Sequence, residues 1–315
     1  MPVTIPENLP AAEVLKQENI FFMTDERAIH QDIRPLRVAI LNLMPNKMRT
    51  EEQFLRLLGN TALQVQVTFL TTASYQSKHT PVSYLKTFYR TFDEVKNQQF
   101  DALIITGSPV ETLEFEEVAY WKELTEILIW AERHVYSSLF ICWAAQAALY
   151  HYYGIGKHML KEKLSGVYQH SILEKHHPLL RGFDDYFWAP HSRHTAVEEA
   201  KVADHPALLV LSESKEAGLY LASSDDGRKV FVTGHSEYDQ NTLDEEYTRD
   251  LQAGMHPKPP KHYYHNDCRE HGVFVQWRGH ANLLFSNWLN YHVYQGTPYD
   301  LTELNVSKSS DGPPK

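Results

Sequence analysis

The chain is short of cysteine, of long apolar runs and of positive charge, and each shortage removes a class of protein. Cys142 and Cys268 are the two cysteines among 315 residues. Two cannot build a disulfide framework or a cysteine-based zinc site, so a reducing compartment, the cytoplasm, is expected. No apolar run approaches the ~20 residues of a membrane-spanning helix. The first twenty residues, with three prolines and no apolar centre, do not read as a signal peptide. Lys plus Arg number 30 against 40 Asp plus Glu, a net charge of −10. That balance argues against nucleic acid or an anionic membrane as the main partner.

What is present has a rhythm. Apolar runs at Arg37–Leu43, Gln64–Leu70, Ala102–Thr106 and Ser138–Cys142 alternate with helical patterns. Thr50 to Gln53 reads as a capping box opening one helix, and Thr91 to Glu94 as a box opening a short second one. Leu113–His134 and Ala144–Tyr153 read as the third and fourth, the last ending at Gly154. Near-continuous apolar strands between helices mean βαβ units, here an open doubly wound, mostly parallel sheet. The second half changes character. Leu208–Leu211, Leu219–Ala222 and Val230–Thr233 read as short strands, the last two joined by a hairpin turn at Asp226-Gly227. Helices are expected over Asp244–Ala253 and His280–Tyr294, and a disordered tail over Lys308–Lys315. The late strands can extend the same sheet, so a cut into two domains is not required.

Cys142 is the sharpest chemical feature. It ends an apolar strand and a helix starts at once with Trp143, the pattern of a nucleophile elbow. A helix N-terminus favours the thiolate. It also aims backbone N–H groups, that of Trp143 first, at an oxyanion. A buried structural cysteine would look much the same from position alone. Val230–Asp239 ends a strand at a glycine and places His235 and Glu237 two apart, a spacing from which a base and its orienting carboxylate can converge. Alone, this is commonly a surface pair. With Cys142 it makes the ingredients of a Cys-His-Glu acyl-transfer triad. Thr106-Gly107-Ser108-Pro109 follows a strand, and its backbone, at Ser108, could give a second oxyanion donor; a plain turn would have the same sequence. The pairs His191/His194 and His262/His265 lack the third ligand of a zinc enzyme, so no metal is expected. Cys268 has no elbow context. Arg249, with Glu245 and Glu246 one turn before it, has the spacing of a helix-surface ion pair.

Five segments carry a family resemblance: RVAILNLMPNKMRTEEQFLRLLGN (37–60), DALIITGSPVETLEFEEVAYW (101–121), ICWAAQAALYHYYGI (141–155), FWAPHSRHT (187–195) and VTGHSEYD (232–239). In that order they resemble the homoserine O-acyltransferases of bacterial methionine biosynthesis, of the type related to class I glutamine amidotransferases. The resemblance runs from Pro2 to about Leu301. It implies a flavodoxin-like, amidotransferase-like α/β fold with extra C-terminal strands and helices. Residues 1–36 would be an N-terminal extension, 37–301 a single catalytic domain and 302–315 a flexible tail. It implies that Cys142 takes an acyl group from acyl-CoA as a thioester, with His235 as general base and Glu237 orienting it, and that L-homoserine then accepts the group in a ping-pong sequence. Lys163, Ser192 and Arg249 would bind the substrate, and Lys47 with them. Partners are therefore small molecules, no cofactor is bound beyond acetyl-CoA as co-substrate, and a homodimer is compatible with the family. In this family a Gly at position 111 goes with succinyl-CoA and a Glu with acetyl-CoA; this chain has Glu111, whose carboxylate would fill space and repel a succinyl carboxylate. Glu111 could equally act at the N-terminus of the helix expected after it. Acetyl transfer is the expected activity, with succinyl transfer as the alternative. A glutaminase is less well supported, because amidotransferases usually carry glycines around the elbow, where this chain has Ile141, Trp143, Ala144 and Ala145.

Overall fold

In the computed structural model, which describes residues 3–6, 8–18, 22–24, 34–75 and 80–305, the apolar runs become strands of one sheet. The strands are β1 Val3–Ile5, β2 Phe22–Thr24, β3 Leu36–Leu41, β4 Val65–Leu70, β5 Tyr89–Arg90, β6 Phe100–Ile105, β7 Val135–Ile141, β8 Lys157–Ile172, β9 Tyr186–Val197, β10 Leu208–Ser214, β11 Gly218–Ser224 and β12 Lys229–Val232. The helices are α1 Ala11–Gln17, α2 Lys47–Leu58, α3 Val82–Phe88, α4 Phe92–Val95, α5 Trp121–His134, α6 Trp143–Tyr153, α7 Glu199–Ala203, α8 Thr242–Gln252 and α9 Arg278–Asn287. Strand order is β2-β1-β4-β3-β6-β7-β12-β11-β10-β8-β9, with β5 on β4. Pairings from β2 through β12 are parallel, and those from β12 to β9 antiparallel.

The parallel strands read as continuous apolar runs because both of their faces are covered. Val38, Ile40, Ala102, Ile104, Leu139 and Ile141 point into one core beneath α2 and α9. Ala39, Leu41, Leu103, Ile105 and Phe140 point into the other, beneath α5 and α6. Each Val, Leu, Ile or Phe side chain among them, removed from water, is worth about 1.5–3 kcal/mol. Helix α6 is buried on every side through Leu149, so it carries no polar stripe, and Gly154 closes it at φ +65°.

Several boundaries differ from the sequence reading. The helix assigned to Leu113–His134 begins at Trp121; residues 115–117 form a separate 3₁₀ turn. Phe115 is pinned there between the rings of Trp121, Tyr150 and Trp143, which holds the segment out of the helix. Thr50 does not cap α2. The helix starts at Lys47 after Asn46, whose side chain accepts from the Arg49 N–H, and Thr50 donates back to the Asn46 carbonyl. The box at Thr91–Glu94 does form. The final helix ends at Asn287 and runs on as a π turn over Trp288–Tyr294. The tail at Lys308–Lys315 lies outside the described residues.

The long β8–β9 ribbon has no counterpart in the sequence reading. Its strands mix charged, apolar and histidine residues without a clean period, and β9 holds Pro190, tolerated because β9 is the sheet's last strand. The Pro-rich loop before Tyr263 closes on the ribbon. Lys261 pairs with Gly166, and a Cβ at Gly166 would lie 2.4 Å from the Lys261 carbonyl oxygen. Among the described residues no helix is long and apolar enough to cross a membrane.

Candidate active site

Strands β7 and β12 lie side by side and parallel, so residues some ninety apart in sequence meet at their carboxyl ends. The Cys142 N–H donates to the Val232 carbonyl at 2.7 Å, tying the two ends together. Cys142 has φ 51° and ψ −112°, a backbone conformation unusual for a residue with a side chain. Such a conformation costs on the order of 1–3 kcal/mol, and the buried helix behind it holds the cost in place. The N–H of Trp143, first in α6, is without an intrahelical acceptor by position.

His235 follows β12 through Thr233 and Gly234. Its own N–H donates to the Pro190 carbonyl of β9 at 2.8 Å. Only glycine fits before it: a Cβ at Gly234 would lie 2.8 Å from that same carbonyl oxygen and 2.9 Å from the Tyr220 ring. His235 Nδ1–H donates to Glu237 Oε1 at 2.7 Å, and both side chains are buried. Tyr238 stacks on the imidazole, ring centres 4.1 Å apart. Burial pulls the His235 proton affinity down, but the charges of Cys142 and Glu237, with a hydrogen bond to each, lift it well above the ordinary histidine value. The loop after β6 completes the centre, since a Cβ on Gly107 would touch Cys142 Cβ and His235 Cε1, each at 3.4 Å. Beside it Ser108 Oγ and Tyr120 OH share a hydrogen bond of 2.6 Å.

A charged cluster adjoins the imidazole. Ser192 of β9 donates to Glu246 of α8, and Tyr238 OH donates to the same carboxylate at 2.8 Å. Lys163 of β8 lies 2.8 Å from Asp250 and 3.7 Å from Glu246. Arg249 lies not against Glu245 or Glu246 but against Asp250, through Nε at 2.9 Å and Nη2 at 2.7 Å; its side chain is 65% exposed. Lys163, Ser192 and Arg249 are thus brought together. Lys47 has a partner of its own: its ammonium is buried against the Asn42 carbonyl at the end of β3, where desolvation brings its pKa down to about 8. Tyr238, Glu246 and Asp250 join the cluster without having been singled out in the sequence; Glu246 was visible only as a helix neighbour of Arg249.

Glu111 does not cap a helix. Its Oε2 accepts from the Thr195 N–H at 3.3 Å and hydroxyl at 3.1 Å, and the same hydroxyl lies 2.9 Å from Gln146 Oε1, one turn along α6 from Cys142. Arg193, inside the FWAPHSRHT segment, is buried beside this group. A cleft of about 910 Å³ borders the loop after His235, walled by Glu237, Asp239, Arg49, Arg56 and Arg278. Among the described residues no group of three or more His, Cys, Asp or Glu is arranged to hold a metal.

Comparison with known proteins places this geometry in context. A family model described as homoserine O-succinyltransferase matches residues 2–299. A homoserine O-acetyltransferase of Acetivibrio thermocellus is 58% identical over 96% of this chain and all of its own length. A homoserine O-succinyltransferase of Shewanella amazonensis is 55% identical over 97% of each chain. Among solved structures, a glutamine amidotransferase of Thermotoga maritima superposes with a TM-score of 0.54 at 15% identity, covering 82% of this chain and 98% of its own. One from Methylobacillus flagellatus gives a TM-score of 0.51 at 11% identity, over 82% and 95%. At those identities the likeness is one of fold, the amidotransferase-like α/β fold expected from the sequence.

Proposed function

The chain belongs to the homoserine O-succinyltransferase family, and from that footing we propose that it transfers an acyl group from acyl-CoA to the hydroxyl of L-homoserine through a thioester on Cys142. The observation that carries the reading is the line Cys142–His235–Glu237 at the joined ends of β7 and β12, with the buried His235 imidazole hydrogen-bonded to Glu237. The thiolate attacks the acyl-CoA carbonyl, and the carbonyl's new charge meets the N–H groups of Trp143 and Ser108. The C–S bond to CoA breaks, and the departing thiolate takes the proton from His235. The neutral imidazole then removes the hydroxyl proton of homoserine as its oxygen attacks the thioester. Glu237 keeps the imidazole in the tautomer that presents Nε2 to both sulfur and hydroxyl.

The charged cluster suits an amino-acid acceptor. Exposed Arg249 offers a planar fork to a carboxylate, and Glu246 and Asp250 offer anionic oxygens to an ammonium, with Lys163 and Ser192 completing the wall. Acetyl-CoA is the donor in this reading. Relatives named for acetyl and for succinyl transfer are about equally similar, so the choice rests on Glu111. Its carboxylate, tied to Thr195 beside α6, stands where a longer acyl group would extend and repels a second carboxylate.

The test is CoA release by the purified protein with L-homoserine, offered acetyl-CoA and succinyl-CoA separately, with Cys142→Ala beside it. Acetyl-CoA turnover that vanishes in the variant is expected. Preference for succinyl-CoA would keep the transferase and overturn the part given to Glu111. Ammonia release from glutamine, or turnover surviving Cys142→Ala, would overturn the reading.

A further inference from the structure

Arg193 is a buried cation without a matching anion in contact. It is 2% exposed. Nη1 donates to the Thr195 carbonyl at 2.7 Å and Nη2 to the Ala217 carbonyl, while Nε has no partner among the described residues. No carboxylate among those residues lies within 4.0 Å of it. Burying a guanidinium against carbonyls alone is costly, so such a charge persists where a counter-charge lies near. The Thr195 carbonyl also accepts from Gln146 Nε2, at 3.4 Å. This places the guanidinium against the first turn of α6, the helix that Cys142 precedes. On its other side the backbone and hydroxyl of Thr195 hold Glu111. Through Thr195 the guanidinium is thus linked both to the turn that follows Cys142 and to the Glu111 carboxylate.

We propose that Arg193 is a positioning residue of the reaction: it favours the thiolate form of Cys142 and divides its charge between that sulfur and the carboxylate of Glu111. His235 supplies a mobile positive charge that leaves in each half-reaction; Arg193 supplies one that does not, because guanidinium stays protonated at any working pH. When CoA departs with the imidazolium's proton, Arg193 remains as the cation near the thioester.

The surrounding charges agree. Burial lowers the proton affinity of Arg193, opposed first by Cys142, then by Glu199 of α7, Glu111 and Tyr168 of β8. Glu199 is engaged by the Leu219 N–H at 3.0 Å. The nearby imidazoles, His170 and His191, are pushed toward the neutral form by burial first and by Arg193 as a smaller cause.

The test is the pH dependence of Cys142 alkylation by iodoacetamide, followed by mass spectrometry on the full-length protein. It needs no acyl transfer. The proposal rests on Cys142 being the nucleophile, but a protein that alkylates as expected and transfers nothing would count against the transferase reading alone. In Arg193→Gln the half-point of alkylation should rise by about one pH unit, a roughly tenfold slower reaction below it. Arg193→Lys, which keeps a charge, should restore most of the rate. An unchanged half-point in folded Arg193→Gln, or failure of the Lys variant to differ from Gln, would overturn the proposal. Should Arg193→Gln not fold, Glu111→Gln decides. Freed from its competitor, Arg193 should draw the half-point down, and a half-point that stays or rises would overturn the shared charge.

Discussion

Two groups of imidazoles sit equally deep in this protein and behave in opposite ways. His235 is buried against Cys142 and Glu237, and its proton affinity is raised well above the usual value. His170 and His191 face each other Nε2 to Nε2 at 3.0 Å, stacked among Phe187, Tyr168 and Tyr220. Burial lowers His170 to about 3, and His191 lies well below the ordinary value for the same reason. In that pair one ring must donate and the other accept, so a proton added to the accepting Nε2 would set two N–H groups head to head. Burial penalises charge in both places; what differs is whether an anion answers it. The same β9 segment serves both regions, since Pro190 holds the His235 backbone while His191 points to the neutral pair.

Changes at the charged region should have the largest effects. Cys142→Ala should reduce CoA release by about 10⁵-fold, to background, and remove the acyl adduct seen by intact mass. An adduct that persists would place the thioester elsewhere. Glu237→Gln should cost about 10³-fold in turnover. It should also slow iodoacetamide alkylation at neutral pH, because an amide no longer favours the imidazolium that accompanies the thiolate; unchanged alkylation would detach Glu237 from the pair.

The neutral region should show itself in stability. The folded value of His170 lies below the unfolded ~6.5, so on acidification the unfolded chain takes up protons first, and stability falls as pH drops from about 6.5 toward 3. At pH 5 this one group should account for about 2 kcal/mol, which chemical denaturation of His170→Asn against the parent would reveal as a flatter pH dependence. His235 acts in the other sense: its contribution is full below ~6.5 and is lost as pH rises through its raised folded value. Equal slopes in parent and variant would remove His170 from the account. Smallest of all, Glu111→Gly should move the ratio of acetyl-CoA to succinyl-CoA use by about tenfold toward succinyl, measured as kcat/KM on each. An unchanged ratio would return Glu111 to a purely local part in holding Thr195.

The central parallel strands β3, β4, β6 and β7 were legible because they are largely buried, and apolar runs such as Phe100–Ile105 leave no other reading; the short β1, β2 and β5 were not read from the sequence. The elbow was legible for a related reason, since an apolar strand that passes into a wholly buried helix without a loop admits few geometries. The ribbon was not. Lys157–Ile172 is half-exposed along most of its length, and its pairing is set by partners far away in sequence. Arg193 and Thr195 lay in a segment that reads as polar, yet β9 turns them inward onto α6. The meeting of Glu246 with Ser192 depends on how α8 docks against the ribbon, which no local pattern encodes.

The bond from the Cys142 N–H to the Val232 carbonyl has a consequence for how such a protein can diversify. It makes the junction of β7 and β12 a fixed hinge-point between two parts of the chain with separate duties. Everything from Gly154 to Arg228 leaves that junction and comes back to it, and this excursion carries Lys163, Ser192, Arg193 and Thr195. The excursion thus brings one part of the proposed binding wall to the junction, while Glu246 and Arg249 reach it from the helix after β12. In the proposed reading, a lineage that exchanged one acceptor or donor for another would have to rewrite this excursion together with the segments that carry Glu111, Glu246 and Arg249.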